Sequence, residues 1–176
     1  DTCDVAYNAP CKGQNGLWRK RQMLERLLCA TESLCALASR FGFAYPGAEL
    51  DALWEDAAFL SAHAMEFLLK EDFAECVYIA QRVHAQAIAL ARAAKAYIAR
   101  RLDVDQKAVV LLNTDAKTRT EQVCLDLAFP EGAQAFEILD LQGNSCPYQI
   151  QHTIQGDISY AGSTMDCARV LVEASV

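Results

Sequence analysis

The chain has 176 residues, 53% of them hydrophobic, with a net charge of -7 and a mean hydropathy of +0.05. That much apolar material excludes a disordered polymer and suits one domain or two small ones. The acidic balance excludes a nucleic-acid backbone as the main partner, since phosphate recognition needs a basic surface. No apolar run approaches the roughly 20 residues of a membrane-spanning helix, which argues against a membrane partner.

Asp1-Thr2-Cys3-Asp4 has neither the basic start nor the apolar centre of a signal peptide. Residues 1–16 begin without Met and carry Pro10, Gly13 and Gly16, which suits an extended lead-in within a longer polypeptide. Asn15 is placed to cap a helix over about Leu17–Phe41, where Leu17, Leu24, Leu27, Leu28, Leu34, Cys35, Ala38 and Phe41 keep helical spacing. Arg19-Lys20-Arg21 reads as the solvated start of that helix. Gly42 ends it, and Phe43 to Gly47 form a loop.

A second helix is expected over about Ala48–Leu60, with Leu50, Leu53, Trp54, Ala57 and Leu60 on one side. Glu49 and Asp51 suit the positive end of its dipole. Residues 61–70 either continue this helix or form a turn. The spacing of Phe73, Val77, Ala80, Val83, Ala87, Leu90, Ala94 and Tyr97 predicts a third helix over Glu71–Leu102, roughly 48 Å long at about 1.5 Å per residue. A rod of that length needs partners, so residues 17–103 are expected to form an antiparallel three-helix bundle.

The period then changes, with a boundary near Asp103-Val104-Asp105. Val109–Leu112, Val123–Leu127, Ala135–Leu139, Tyr148–Thr153, Asp157–Tyr160 and Ala168–Glu173 are six candidate strands. The fold class is therefore α+β in two regions. Residues 104–176 form an antiparallel sheet or sandwich, incomplete because so few strands do not close one.

Several stretches carry a resemblance in their order along the chain. These are Arg19 to Leu24 with Ala30 to Leu34, Leu53 to His63, Val109 to Asn113, and Ile138 to Asn144 with Pro147 to Ile150. Over about residues 17–176 the chain is similar to the helical middle domain and early β-region of glycoside hydrolase family 38, the α-mannosidases. The resemblance implies a separate N-terminal catalytic barrel, missing here, that carries an aspartate nucleophile and most ligands of a catalytic zinc. It implies retaining hydrolysis of an α-mannoside substrate.

His63 is the one residue here that could match the family histidine completing the zinc site, and neutral imidazole suits that metal. The other reading is an ordinary helix-end histidine. Trp54 and Glu66 are the residues expected to line the substrate pocket. The sequence departs from the family around His63, where Ala62, Ala64 and Met65 replace acidic and glycine residues. It departs again at Thr114, where a proline usually follows the asparagine.

Other groups read as ordinary. His84 lies beside the Val83 stripe and is expected to be structural. His152 sits on a candidate strand, at surface or edge. Glu55/Asp56 and Glu71/Asp72 are adjacent, about 100° apart on a helix, which suits solvation better than acid–base work. No serine lies in a G-x-S-x-G elbow, and no phosphate-binding loop occurs. The eight cysteines include no C-x-x-C pair. They are expected to be reduced thiols in a cytoplasmic protein, with Cys29, Cys35 and Cys76 acting as small apolar residues.

By itself the chain is expected to be no enzyme, and its parent a glycoside hydrolase. The alternative is a non-catalytic helical interaction or scaffold module bearing a carbohydrate-binding β-sandwich. The small-residue stripe Ala85–Ala96 also allows a self-associating bundle.

Overall fold

A computed structural model describes residues 15–61, 70–102, 108–130, 132, 136–160 and 163–175. The chain divides into two units, Asp1–Val110 and Leu111–Val176. The boundary expected at 103–105 lies outside the described residues.

The first unit contains α1 (Asn15–Ser39), α2 (Gly47–Leu60) and α3 (Lys70–Ala99). Helix α1 starts two residues before the expected Leu17. It ends at Ser39, and the turn that follows closes at Gly42, whose φ of +93° is the left-handed conformation that an L side chain resists. Two contacts fix the direction of α2 against α1. Arg21 near the start of α1 reaches Leu60 at the end of α2, and Glu32 later in α1 meets Trp54. These two helices are antiparallel. Thr31 Oγ1 donates to the Ala87 carbonyl and Tyr97 Oη to that of Phe41, both across 56 residues, so α1 and α3 run in the same direction. The bundle is up-down-up.

Its core is the expected stripes brought face to face. Leu28, Leu60, Val83 and Ala87 are fully buried, with Leu24, Leu53, Ala57, Cys76, Ile79 and Ala80 around them. Leu27, Trp54, Phe73 and Leu90 pack partly against this cluster. Ala87 and Ala94 at zero exposure show why α3 is rich in alanine: small side chains let the helix axes approach. Phe41 departs from expectation. It lies beyond the last turn of α1 and is 52% exposed, while Phe43 and Tyr97 meet edge to face at 5.2 Å.

Two residues, Arg21 and Cys29, depart from expectation, while His84 lies beside the Val83 stripe as expected. Arg21 is buried, although Arg19 and Lys20 beside it are exposed. At about 100° per residue it shares the stripe of Leu24 and Leu28 rather than the solvated face. Cys29 and His84 are exposed, each lying one position off the buried stripe that holds Leu28 and Val83. Cys35 and Cys76 are buried as expected of small apolar residues.

The second unit is a three-stranded antiparallel open sheet of β1 (Thr120–Pro130), β2 (Tyr148–Tyr160) and β3 (Ser163–Ser175), in the order β1-β3-β2. The described residues hold fewer strands than expected. Val109–Leu112 is irregular, and Leu139 makes only an isolated bridge to Ser145. Tyr148–Thr153 and Asp157–Tyr160 are one strand, whose register against β3 shifts between Ile150 and His152 and again between Ile154 and Ile158. These shifts let one long strand carry what the sequence suggests are two.

Alternation along β1 leaves Val123, Leu125, Leu127 and Phe129 half-buried on one face, opposite Val172, Val170, Ala168 and Asp166. Phe129, Phe136 and Tyr148 stack in series, with ring centroids 4.5 and 4.8 Å apart.

Candidate functional site

In the helical unit, polar side chains converge between α1 and α2. Trp54 sits one position beyond Leu53 on α2. Its ring packs partly on the core, and its Nε1 donates to Glu32 Oε2 at 3.2 Å. Tyr45, in the loop before α2, donates its hydroxyl to the other oxygen of Glu32 at 3.3 Å. One carboxylate from α1 thus gathers an indole and a phenol from the next two segments. Partial burial, then the Glu32 charge, pushes the Tyr45 phenol above its ordinary value. Burial and the same charge raise the Cys35 thiol, which favours the protonated, unreactive form.

A second polar group lies at the end of α2. Arg21 Nη1 donates to the Leu60 carbonyl at 2.9 Å, and Ser61 Oγ donates to the Ala57 carbonyl at 3.1 Å and to Glu25 Oε1 at 3.4 Å. On the other flank of α2, Asp56 accepts from Arg82 of α3 at 2.6 Å. The adjacent pair Glu55/Asp56 is therefore split, with one member solvated and the other in an ion pair.

His63 and Glu66 lie outside the described residues, so Trp54 is the expected site residue that the structure places. Among the described residues no group of three or more His, Cys, Asp and Glu side chains could hold a metal ion. The described part of the chain therefore does not by itself fit a zinc ion, which needs three or four protein ligands.

In the sheet unit, polar groups occupy the face opposite Leu125 and Val170. Arg169 grips Asp126 with two hydrogen bonds, Nε to Oδ1 at 2.6 Å and Nη2 to Oδ2 at 2.9 Å. The guanidinium hydrogen bonds hold the Asp126 carboxyl below the usual carboxylate range. His152 pairs with Arg169 in register on β2 and is exposed. The Asp140 carboxylate accepts from the Gln142 and Asn144 amides and from the Asn144 side chain. This closes the turn that Gly143, at φ +81°, makes possible. Asn113 closes another short turn, accepting from the Asp115 amide and donating to the Lys117 carbonyl.

Sequence reasoning read Arg21 as solvated and gave Glu32 no role. A signal for Arg21 was present: Arg21, Leu24, Leu28, Thr31, Cys35 and Ala38 are spaced alternately three and four apart, and all are buried. Its long side chain can lie in an apolar stripe while the head finds a carbonyl. Glu32 had no local signal, because its partners are 13 and 22 residues away.

Three helices followed by a three-stranded antiparallel open sheet define an α+β fold. No protein-family model matches the chain, and no curated protein matches it by sequence. Two solved structures share its fold. The crystal structure of a glycosyl hydrolase family 38 protein from Enterococcus faecalis superposes with a TM-score of 0.71 at 18% identity, over 91% of this chain and 23% of that one. An α-mannosidase from Enterococcus faecalis V583 gives a TM-score of 0.64 at 18% identity, over 91% of this chain and 21% of that one. At this identity the likeness is one of fold. The chain spans less than a quarter of the length of either structure. No helix among the described residues is long and apolar enough to cross a membrane.

Proposed function

We propose that this chain is the helical middle region (17–103) and the opening β-region (104–176) of a cytoplasmic α-mannosidase-like glycoside hydrolase polypeptide. Its work is to brace a catalytic barrel supplied by the rest of that polypeptide and to form one wall of an α-mannoside site. The observation that carries this reading is the fold likeness to family 38 structures over 91% of the chain. The order of Trp54 and His63 in the sequence supports it. Trp54 would present an aromatic face to the sugar ring, held by Glu32. Glu66 would supply a hydrogen-bond acceptor for hydroxyl groups. His63 would contribute a single zinc ligand to a set made elsewhere, the ion serving there to hold and polarise sugar oxygens.

A second reading rests on Ala62, Ala64 and Met65, which surround His63 with small and apolar groups. None of these three sequence neighbours is a carboxylate that could orient an imidazole or share in a metal site. On this reading the polypeptide binds a carbohydrate without hydrolysing it.

One experiment separates the two. The intact polypeptide is assayed for zinc content and α-mannosidase activity beside His63→Ala, with folding followed by circular dichroism. Loss of stoichiometric zinc and of turnover in a folded variant supports the first reading. Full zinc and turnover in the variant remove His63 from the site. Mannoside binding without zinc or turnover in the wild type supports the second.

A further inference from the structure

We infer that Arg21, together with Glu25 one turn further along α1, is a positioning residue for the end of α2, and hence for the mannoside-site wall that α2 carries. This rests on the function proposed above. A helix ends with four carbonyls that lack an intrahelical partner. The carbonyl of Leu60, the last residue of α2, receives Arg21 Nη1 at 2.9 Å. Ser61, the next residue, is reached by Glu25 Oε1 at 3.4 Å. Two side chains four residues apart on one face of α1 therefore hold two consecutive residues of the α2 terminus. They do so across sequence separations of 39 and 36 residues.

The chemistry at position 21 suits positioning better than packing. Arg21 is 8% exposed and continues the stripe of Leu24 and Leu28, where a leucine would bury its side chain without desolvating a charge. The guanidinium instead meets the negative end of the α2 dipole and a carbonyl in one fixed direction. Packing alone tolerates sliding of α2 along α1. A directed bond from a buried cation to the terminal carbonyl does not, and Trp54, less than two turns upstream, is held in the same frame by Glu32.

The test compares the intact polypeptide as wild type, Arg21→Met and Arg21→Lys. Three quantities are measured: amide hydrogen exchange, thermal unfolding, and calorimetric affinity for methyl α-D-mannoside. Methionine fills the apolar stripe without a donor, so amides in the last turn of α2 should exchange roughly tenfold faster or more, while those around Val83 on α3 hold their protection. Mannoside affinity should fall by a comparable factor, and lysine should restore part of both. Unchanged exchange at the end of α2 in Arg21→Met overturns the inference. So does faster exchange with wild-type affinity, which would leave Arg21 a structural strut. If Arg21→Met loses protection throughout the bundle, Arg21→Lys carries the test by the same two readouts. A wild type that binds no mannoside defeats the function proposed above, and with it the link to a sugar site, whatever the exchange reads.

Discussion

Trp54 of α2 and Glu32 of α1 are joined by a hydrogen bond from the indole Nε1 to a carboxylate oxygen at 3.2 Å, across 22 residues. This bond fixes the rotation of α2 about its own axis, because the Trp54 ring also packs on the shared core. Replacing Trp54 by Phe keeps most of that packing and removes the donor. The chain should lose about 1 kcal/mol of stability, and Glu32→Gln a similar amount, since a net hydrogen bond contributes about that much. A double-mutant cycle from urea unfolding should give a coupling of roughly 0.5–1.5 kcal/mol. Strict additivity would show that the bond contributes nothing.

Tyr45 donates to the same carboxylate, and its ionisation is pushed up by partial burial and then by Glu32. A phenol whose folded value lies above its unfolded value keeps its proton longer when folded. Its contribution to stability is complete below a pH of about 10 and is lost as pH rises through the folded value. Ultraviolet titration of tyrosinate absorbance should show a late-titrating group that moves to lower pH in Glu32→Gln. A profile indifferent to that substitution would separate Tyr45 from Glu32.

Asp126 shows the opposite sign. Hydrogen bonds from Arg169 lower its carboxyl, so the ion pair helps above the unfolded carboxylate range and is lost as pH falls through the folded value. Carbon-13 NMR of the side-chain carboxyl should show its midpoint rising toward the ordinary range in Arg169→Gln. Both side chains are more than half exposed, so global stability should change little between these variants at neutral pH.

Gly42 combines a φ of +93° with a position where an added Cβ would lie 3.2 Å from Tyr97 Oη. Gly42→Ala should therefore destabilise by about 1–2 kcal/mol, measured as a shift in thermal midpoint. Tyr97→Phe removes the oxygen, and should relieve only the steric part of that loss. Equal penalties in both backgrounds would assign all of it to the backbone.

Leu28 is fully buried in the bundle, whereas Leu139 in the sheet unit is 52% exposed. Leu28→Ala should cost about 2–5 kcal/mol through lost burial and a residual cavity. Leu139→Ala should fall within about 0.5 kcal/mol of wild type. Chemical denaturation of both variants checks the contrast.

What the sequence determined by itself was periodic and local. The stripes of Leu24 and Leu28, of Leu50, Leu53 and Leu60, and of Val83 and Ala87 announce three helices and their inward faces, because burial on one side of a helix repeats every three or four residues. Gly42 marks the stop of α1, and alternation from Val123 to Leu127 marks β1. Tertiary structure decided whatever depends on a distant partner. It placed β3 between β1 and β2, and merged two expected strands into β2 through register shifts that only pairing with β3 can define. It turned Arg21 from a solvated cation into a buried donor to Leu60, and made Glu32 the acceptor for Trp54 and Tyr45. The physical reason is range. A helix or strand is set by contacts a few residues apart, whereas a hydrogen bond across 22 or 39 residues exists only after the elements have packed.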